Sequence, residues 1–211
     1  MTTIAVIGGT GYAGSAIVAH AASRGISVRI LSRSAPVEAD GVTSFTGSAL
    51  DPARVKEVVA GSDAVIGALS PRGELEGRLA EAYANIIDAA REASIPFVVV
   101  GGFSALRPAP GAPRFSEGDG VPAAFVGEAR EVAALLPVLE ASDIDWVFVS
   151  PAAEYGSYAP GEETGSYQLG GDVAVLDESG SSRISGADFA AGIVDIVRNG
   201  EHHRTHLSLY N

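Results

Sequence analysis

The chain has 211 residues, 46% of them hydrophobic and 19% charged, the make-up of a folded protein that buries one sizeable core rather than of a disordered one. A net charge of −12 at pH 7 argues against nucleic acid as a partner, because a phosphate backbone calls for a basic stripe. There is no cysteine, which excludes disulfides, thiolate nucleophiles and cysteine-ligated metals.

Along the chain, apolar β-type runs alternate with alanine-rich helical patterns, the signature of a parallel sheet with helices on both faces. Strands are predicted at about 3–7 (TIAVI), 27–31 (SVRIL), 43–46 (TSFT), 63–68 (DAVIGA), 96–101 (PFVVVG) and 145–149 (DWVFV). Helices are predicted near 11–24, 52–60, 75–94 and 126–142, the second opened by Asp51 and Pro52 as N-cap and first helical residue. Near the end come a short strand at Ser166–Leu169, a hairpin-like DVAVLDESGSSRIS, a helix at about 186–198 and a last strand, THLSLY. One domain over 1–211 accounts for this pattern. No apolar run approaches the roughly 20 residues that span a bilayer, and MTTIAVIGG carries no basic leader, so a cytoplasmic protein without membrane contact is expected.

Two stretches interrupt the rhythm. Residues 105–124 carry four prolines and are too long for an ordinary connection, and residues 151–171 are rich in Gly and Tyr. Both follow late strands, which puts them over the carboxyl edge of the sheet, where open α/β folds bind ligands. They are the expected substrate-site loops, for a small molecule.

The stretch IAVIGGTGYAGSAI carries Gly8, Gly11 and Gly14, and Gly9 to Gly14 also reads G-x-G-x-x-G. With 26 glycines in the chain such a pattern is weak alone; its place between the first strand and the first helix gives it weight. Glycines allow a tight turn and close approach of a pyrophosphate, and the helix N-terminus supplies free N–H groups. The reading is a dinucleotide site in a Rossmann-like doubly wound sheet of order 3-2-1-4-5-6, with a short C-terminal strand. The second strand ends Leu31-Ser32-Arg33-Ser34, and the next acid is Glu38, beyond its end. An NAD site would place an acid there for the ribose 2′-hydroxyl. Arg33, with Ser32 beside it, suits a 2′-phosphate instead, so NADP(H) is expected in preference to NAD(H).

With the glycine segment, SVRILSR, VVAGSDAVIGAL, VVVGGFSAL, the Pro151 segment and SRISGADFAAGIVDIV in this order, the chain resembles an atypical short-chain dehydrogenase/reductase. It is similar to the single-domain NAD(P)-binding group that includes biliverdin reductase B and bacterial NADH-flavin reductases. The resemblance covers essentially the whole length. It implies that Gly8, Gly9, Thr10, Gly11, Tyr12 and Ala13 follow the pyrophosphate, with Ser32 and Arg33 at the 2′ position. It implies Ser48 and Ala49 at the adenine, where relatives often carry Asp, and Ala68, Leu69 and Ser70 beside the ribose. Gly102, Phe103 and Ser104 would approach the nicotinamide, and Pro151 would close the far side.

One departure governs the chemistry. Most short-chain dehydrogenases use a tyrosine tuned by a lysine four residues on, whereas Lys56 is the only lysine here and Pro52 precedes it by four. The corresponding segment carries Phe125 and Ala129, which neither donate nor tune a proton. Ketone reduction and epimerisation by the common mechanism are therefore not expected. Hydride transfer to a flavin or quinone-like ring asks less, because the ring spreads the charge and water can supply the proton; the protein must align two rings. A flavin would then be a substrate rather than a tightly bound group. Phe103, Phe115, Phe125, Tyr155, Tyr158 and Tyr167 are the aromatic candidates for the substrate pocket, and Ser104 the polar one near the reacting carbon, with a strand-end cap as its alternative role. The residue after Pro151 is alanine where some relatives carry histidine, which argues against a biliverdin-like substrate. His202-His203-Arg204-Thr205-His206 reads as a solvated turn and not a metal site, and Asp188 as a cap of the last helix. The same residues also fit a non-catalytic NADP(H)-binding redox sensor. A monomer or small homo-oligomer is expected in either case.

Overall fold

The computed structural model describes residues 2–33 and 38–211. Eight strands form one sheet in the order β3-β2-β1-β4-β5-β6-β8-β7. They are β1 (Thr3–Ile7), β2 (Ser27–Ser32), β3 (Val42–Thr46), β4 (Ala64–Gly67), β5 (Phe97–Val100), β6 (Trp146–Pro151), β7 (Gln168–Gly170) and β8 (Thr205–Tyr210). All neighbours run parallel except β7, which lies antiparallel on β8 at the edge. The predicted strand order thus holds for the first six strands, and the C-terminal segment adds a parallel strand on β6 and a short antiparallel one beyond it.

Side chains of a strand alternate between faces, and β1 shows what this does to the core. Ile4 and Val6 join the apolar layer under α1 (Tyr12–Ser23) and α6 (Gly186–Asn199), while Ala5 and Ile7 join the layer under α2 (Pro52–Val59), α3 (Leu79–Ala93) and α5 (Leu135–Ala141). A strand covered on both faces must read as a continuous apolar run, as β1 does.

Three predicted elements differ from the structure for identifiable reasons. The helix expected from residue 75 starts only at Leu79, after a 3-10 turn at Gly73–Leu75, because Gly73 and Gly77 take left-handed φ values of +64° and +69° that no α-helix accommodates. The helix expected over 126–142 is two, α4 (Val126–Ala133) and α5, joined at Ala134. Pro137 lacks an N–H and its ring crowds the carbonyl of Ala133, so a continuous helix cannot pass. The hairpin-like segment closes at its tip, where Asp177 N and Gly180 N bond Ser181 O and Asp177 O at 2.7 and 2.9 Å, but its arms do not pair with each other. Val173 bridges Arg107 and Arg183 bridges Glu154 instead, tying the segment to both long loops. The carboxyl ends of β1 to β6 and both loops therefore share one edge of the molecule.

Candidate dinucleotide site

The turn from β1 into α1 is built of glycines that the packing requires. Gly8 has φ +95°, and a Cβ there would lie 2.5 Å from the Ala68 carbonyl oxygen at the end of β4. A Cβ on Gly14 would lie 2.1 Å from Gly8 O, and one on Gly9 2.9 Å from the Ile30 side chain. Gly11 is different: its nearest neighbour would be Gly8 O at 3.5 Å, with Ala68 O at 3.9 Å. Gly8, Gly9 and Gly14 thus press helix, turn and sheet together, and Gly11 keeps the space above the turn open. Gly11 is the N-cap of α1 and has no side chain to satisfy the first N–H groups; the first bond into the helix runs from Ser15 N to Gly11 O at 2.8 Å. The helix therefore presents free N–H groups and its positive dipole end to that space, with Thr10 exposed beside it.

Beside the turn, the ends of β2, β3 and β4 carry Arg33, Ser48 and the Ala68–Ser70 segment. Arg33 is exposed, its guanidinium 3.9 Å from Glu74, and a Cβ on Gly73 would lie 3.1 Å from Arg33 Nη1. Ser48 Oγ donates to Glu74 Oε1 at 3.0 Å and accepts from Leu50 N at 3.1 Å. Ser32 and Ala49 are buried, Ser32 O accepting from Gly47 N and Ala49 O from Asn85 Nδ2. Ala68 N donates to Ile7 O at 2.8 Å, and Leu69 lies against Gly8. Ser34 falls outside the described residues. Glu74, on the 3-10 turn after β4, had no motif to mark it in the sequence.

Across the edge, Gly102 and Phe103 leave β5 into a 3-10 turn (Phe103–Ala105), and Phe103 stacks on Phe115 with centroids 5.0 Å apart and planes 23° apart. Ser104 lies on that turn, half-buried, its hydroxyl bonded to nothing among the described residues and capping no element. Behind the turn runs a hydrogen-bond chain. Arg114 lies 3.3 Å from His206 Nδ1, His206 Nε2 lies 2.9 Å from Ser150 Oγ, and Ser150 Oγ donates to Gly102 O at 2.9 Å. A guanidinium can only donate, so Nδ1 accepts and Nε2–H is the tautomer that completes the chain. Arg114 also donates to Ala105 O at 2.5 Å, so both ends of the Phe103 turn are held. Burial, reinforced by the Arg114 charge, pushes the His206 imidazole down to about 4, leaving it neutral.

His206 is thus not part of a solvated turn, as the HHRTH reading has it; it sits in β8, edge-on to Phe148 at 5.0 Å. The predicted strand THLSLY already contained it. His203 does lie on the surface, 2.7 Å from Asp145. Among the described residues no cluster of His, Cys, Asp and Glu is arranged to hold a metal.

The aromatic candidates of the two loops do not gather in one place. Tyr155 folds inward between Tyr12 and Phe189, with centroids at 5.3 and 4.7 Å, and its hydroxyl is buried without a partner among the described residues. Tyr158 is 77% exposed, Phe125 is 51% exposed, and Tyr167 donates to Asp195 on α6 at 3.0 Å. Only Phe103 and Phe115 stand together at the end of β5, while Pro151 lies buried at the end of β6. Asp188 is not the cap expected of it, because it lies inside the first turn of α6. The N-cap of α6 is Ser185, whose Oγ accepts from Asp188 N at 3.0 Å, while the Asp188 carboxylate receives Ser185 Oγ, Thr164 N, Thr164 Oγ1 and Gly165 N at 2.9–3.1 Å. Burial works to raise its pKa, but these donors outweigh it and hold the carboxyl below the usual range. It clamps the 151–171 loop onto α6.

A glycine turn at the head of the first βαβ unit, a free helix N-terminus above it and polar groups at the neighbouring strand ends define a dinucleotide-binding protein of Rossmann-like fold. Comparison with known proteins agrees: the model of the NAD(P)H-binding family matches residues 8–200, and the chain belongs to that family. YwnB of Bacillus subtilis (strain 168), itself uncharacterised, is 30% identical over 203 residues, 94% of this chain and 93% of YwnB. A provisionally assigned epimerase from Bacteroides thetaiotaomicron superposes with a TM-score of 0.88 at 31% identity, covering 99% of this chain and 96% of its own. A provisionally assigned NADH-flavin reductase from Streptococcus pneumoniae TIGR4 gives 0.85 at 30% identity, with both chains fully covered. No helix among the described residues is long and apolar enough to cross a membrane.

Proposed function

We propose that the protein is a cytoplasmic NAD(P)H-dependent reductase that passes hydride to a flavin or quinone-like ring. The observation that carries this reading is the stacked Phe103–Phe115 pair on a turn fixed at Gly102 and Ala105, which also carries the Ser104 hydroxyl. Relatives of similar likeness bear different assignments, an epimerase and a flavin reductase, so the residues themselves must choose between reactions. Epimerisation by the common route needs a proton-transferring tyrosine. Here the matching segment offers Phe125 and Ala129, and Lys56 is paired with Glu92 on the surface of α2 and α3. Burial raises the Tyr12 and Tyr155 phenols above their ordinary value, so neither is poised to exchange a proton near neutrality.

Bound NAD(P)H would supply the hydride. The chain's residues would supply position: the turn from Gly8 to Ala13 would line the pyrophosphate, with the free N–H groups of the first turn of α1 aimed at it. Arg33 would meet the 2′ position, Ser48 the adenine, and Gly102 to Ser104 the nicotinamide. Phe103 and Phe115 offer an apolar face on which a planar acceptor stacks, and Ser104 a hydroxyl for its carbonyl. Alignment of two rings is sufficient catalysis when the acceptor disperses the charge and water provides the proton.

The test follows NADPH oxidation with FMN, riboflavin and a panel of small quinones, with NADH alongside. Saturable turnover supports the reductase. Tight nucleotide binding without turnover of any acceptor supports instead a nucleotide-binding sensor.

A further inference from the structure

Every NAD-specific site of this fold needs an acceptor for the ribose 2′-hydroxyl, which the end of a second strand ordinarily supplies. The end of β2 carries Arg33 instead. An acid nevertheless reaches the same place from another element. Glu74 sits on the 3-10 turn after β4, within 3.9 Å of Arg33 Nε and within 3.0 Å of Ser48 Oγ. Gly73 brings that turn close: with φ +64° and no side chain, it lets the backbone pass directly beside Arg33 Nη1. Three strand ends, those of β2, β3 and β4, thus meet at one exposed carboxylate facing one exposed guanidinium.

We propose that Glu74 sets the choice between NAD(H) and NADP(H), in opposition to Arg33. Its carboxylate accepts a hydrogen bond from a 2′-hydroxyl and repels a 2′-phosphate, whereas Arg33 favours the phosphate and is indifferent to the hydroxyl. Neither charge prevails by burial, since both side chains are well exposed. A 2′-phosphate must therefore displace the carboxylate from Arg33 and Ser48, and a 2′-hydroxyl can join it there. The protein accepts both nucleotides, with a narrow preference. The proposal rests on the reading of Arg33 as the residue at the 2′ position.

The test measures Kd for NADPH and NADH by nicotinamide fluorescence at one ionic strength, for the wild type, Glu74→Gln, Arg33→Ala and the double variant. Circular dichroism checks that each is folded. Glu74→Gln should move the NADPH/NADH preference toward NADPH by about tenfold, the effect of one charge-assisted contact. Arg33→Ala should move it the other way. If Arg33→Ala shifts the preference and Glu74→Gln changes both nucleotides equally or not at all, the role of Glu74 is overturned and that of Arg33 stands. If neither variant shifts it, the 2′ subsite lies elsewhere and both readings fall. A wild type that binds neither nucleotide overturns the dinucleotide site itself.

Discussion

The two halves of the candidate site are held by opposite means. On the nucleotide side the structure is defined by what is missing: Gly8, Gly9 and Gly14 leave room for backbone against backbone, Gly11 leaves room above the turn, and the charged groups nearby stay in solvent. On the side of the two long loops the structure is defined by what is present, namely Arg114, His206 and Ser150 linked in a half-buried chain, and Asp188 clamping the other loop. A site for a common cofactor can be written in small residues close together in sequence. A site that shapes a substrate pocket from long loops needs contacts between distant segments, such as Arg114 with His206.

The largest effect expected separates the glycines. Gly14→Ala would drive a Cβ into a backbone carbonyl that cannot move aside, costing about 3 kcal/mol or more. Gly11→Ala meets nothing closer than 3.5 Å and should fold with a loss of less than ~1 kcal/mol while weakening nucleotide binding. Thermal unfolding with and without NADPH distinguishes the two roles, and equal destabilisation would abolish the distinction.

On the loop side, the neutral His206 makes stability depend on pH. The folded imidazole titrates at about 4, the unfolded one near 6.5. Above both values it contributes no pH dependence. As pH falls from about 6.5 toward 4, the unfolded chain takes up a proton that the folded chain refuses, and stability drops by a total on the order of 3 kcal/mol. Urea unfolding across this range should show the slope, and His206→Gln should flatten it; an unchanged slope would remove His206 from the buried chain.

Asp188→Asn is expected to cost about 2 kcal/mol, since the amide cannot accept from all four donors. Because the folded carboxyl titrates below its unfolded value, its contribution is present above the ordinary carboxylate range and is lost as pH falls through the lowered one. Hydrogen exchange should rise first at Thr164 and Gly165. Arg33→Ala should have the smallest effect on folding, within ~0.5 kcal/mol, because the side chain is exposed and its ion pair loose.

This division also explains what could be read in advance. The strand order and the glycine turn were legible because they rest on local patterns, apolar runs and glycines at fixed spacing. Pro137, visible in the sequence, already forbade the continuous helix over 126–142. The HHRTH pattern misplaces His206 because three histidines beside an arginine look like surface, although THLSLY puts the residue within a strand. Glu74 carried no local sign at all; only the meeting of three strand ends gives it a role. Arg107 and Arg114 look like ordinary loop arginines until the fold shows the backbone carbonyls they hold, those of Ala112 and Ala105.

The most direct measurement is single-turnover oxidation of 4-deuterated and unlabelled NADPH by this protein with excess FMN or riboflavin. A reductase that works by alignment alone should show a primary isotope effect on the transfer step. Its transfer rate should be nearly independent of pH between 6 and 9, since no side chain has to donate a proton. Absence of transfer to any flavin or quinone despite tight NADPH binding would contradict the reductase, and a steep pH dependence in that range would reveal a proton donor.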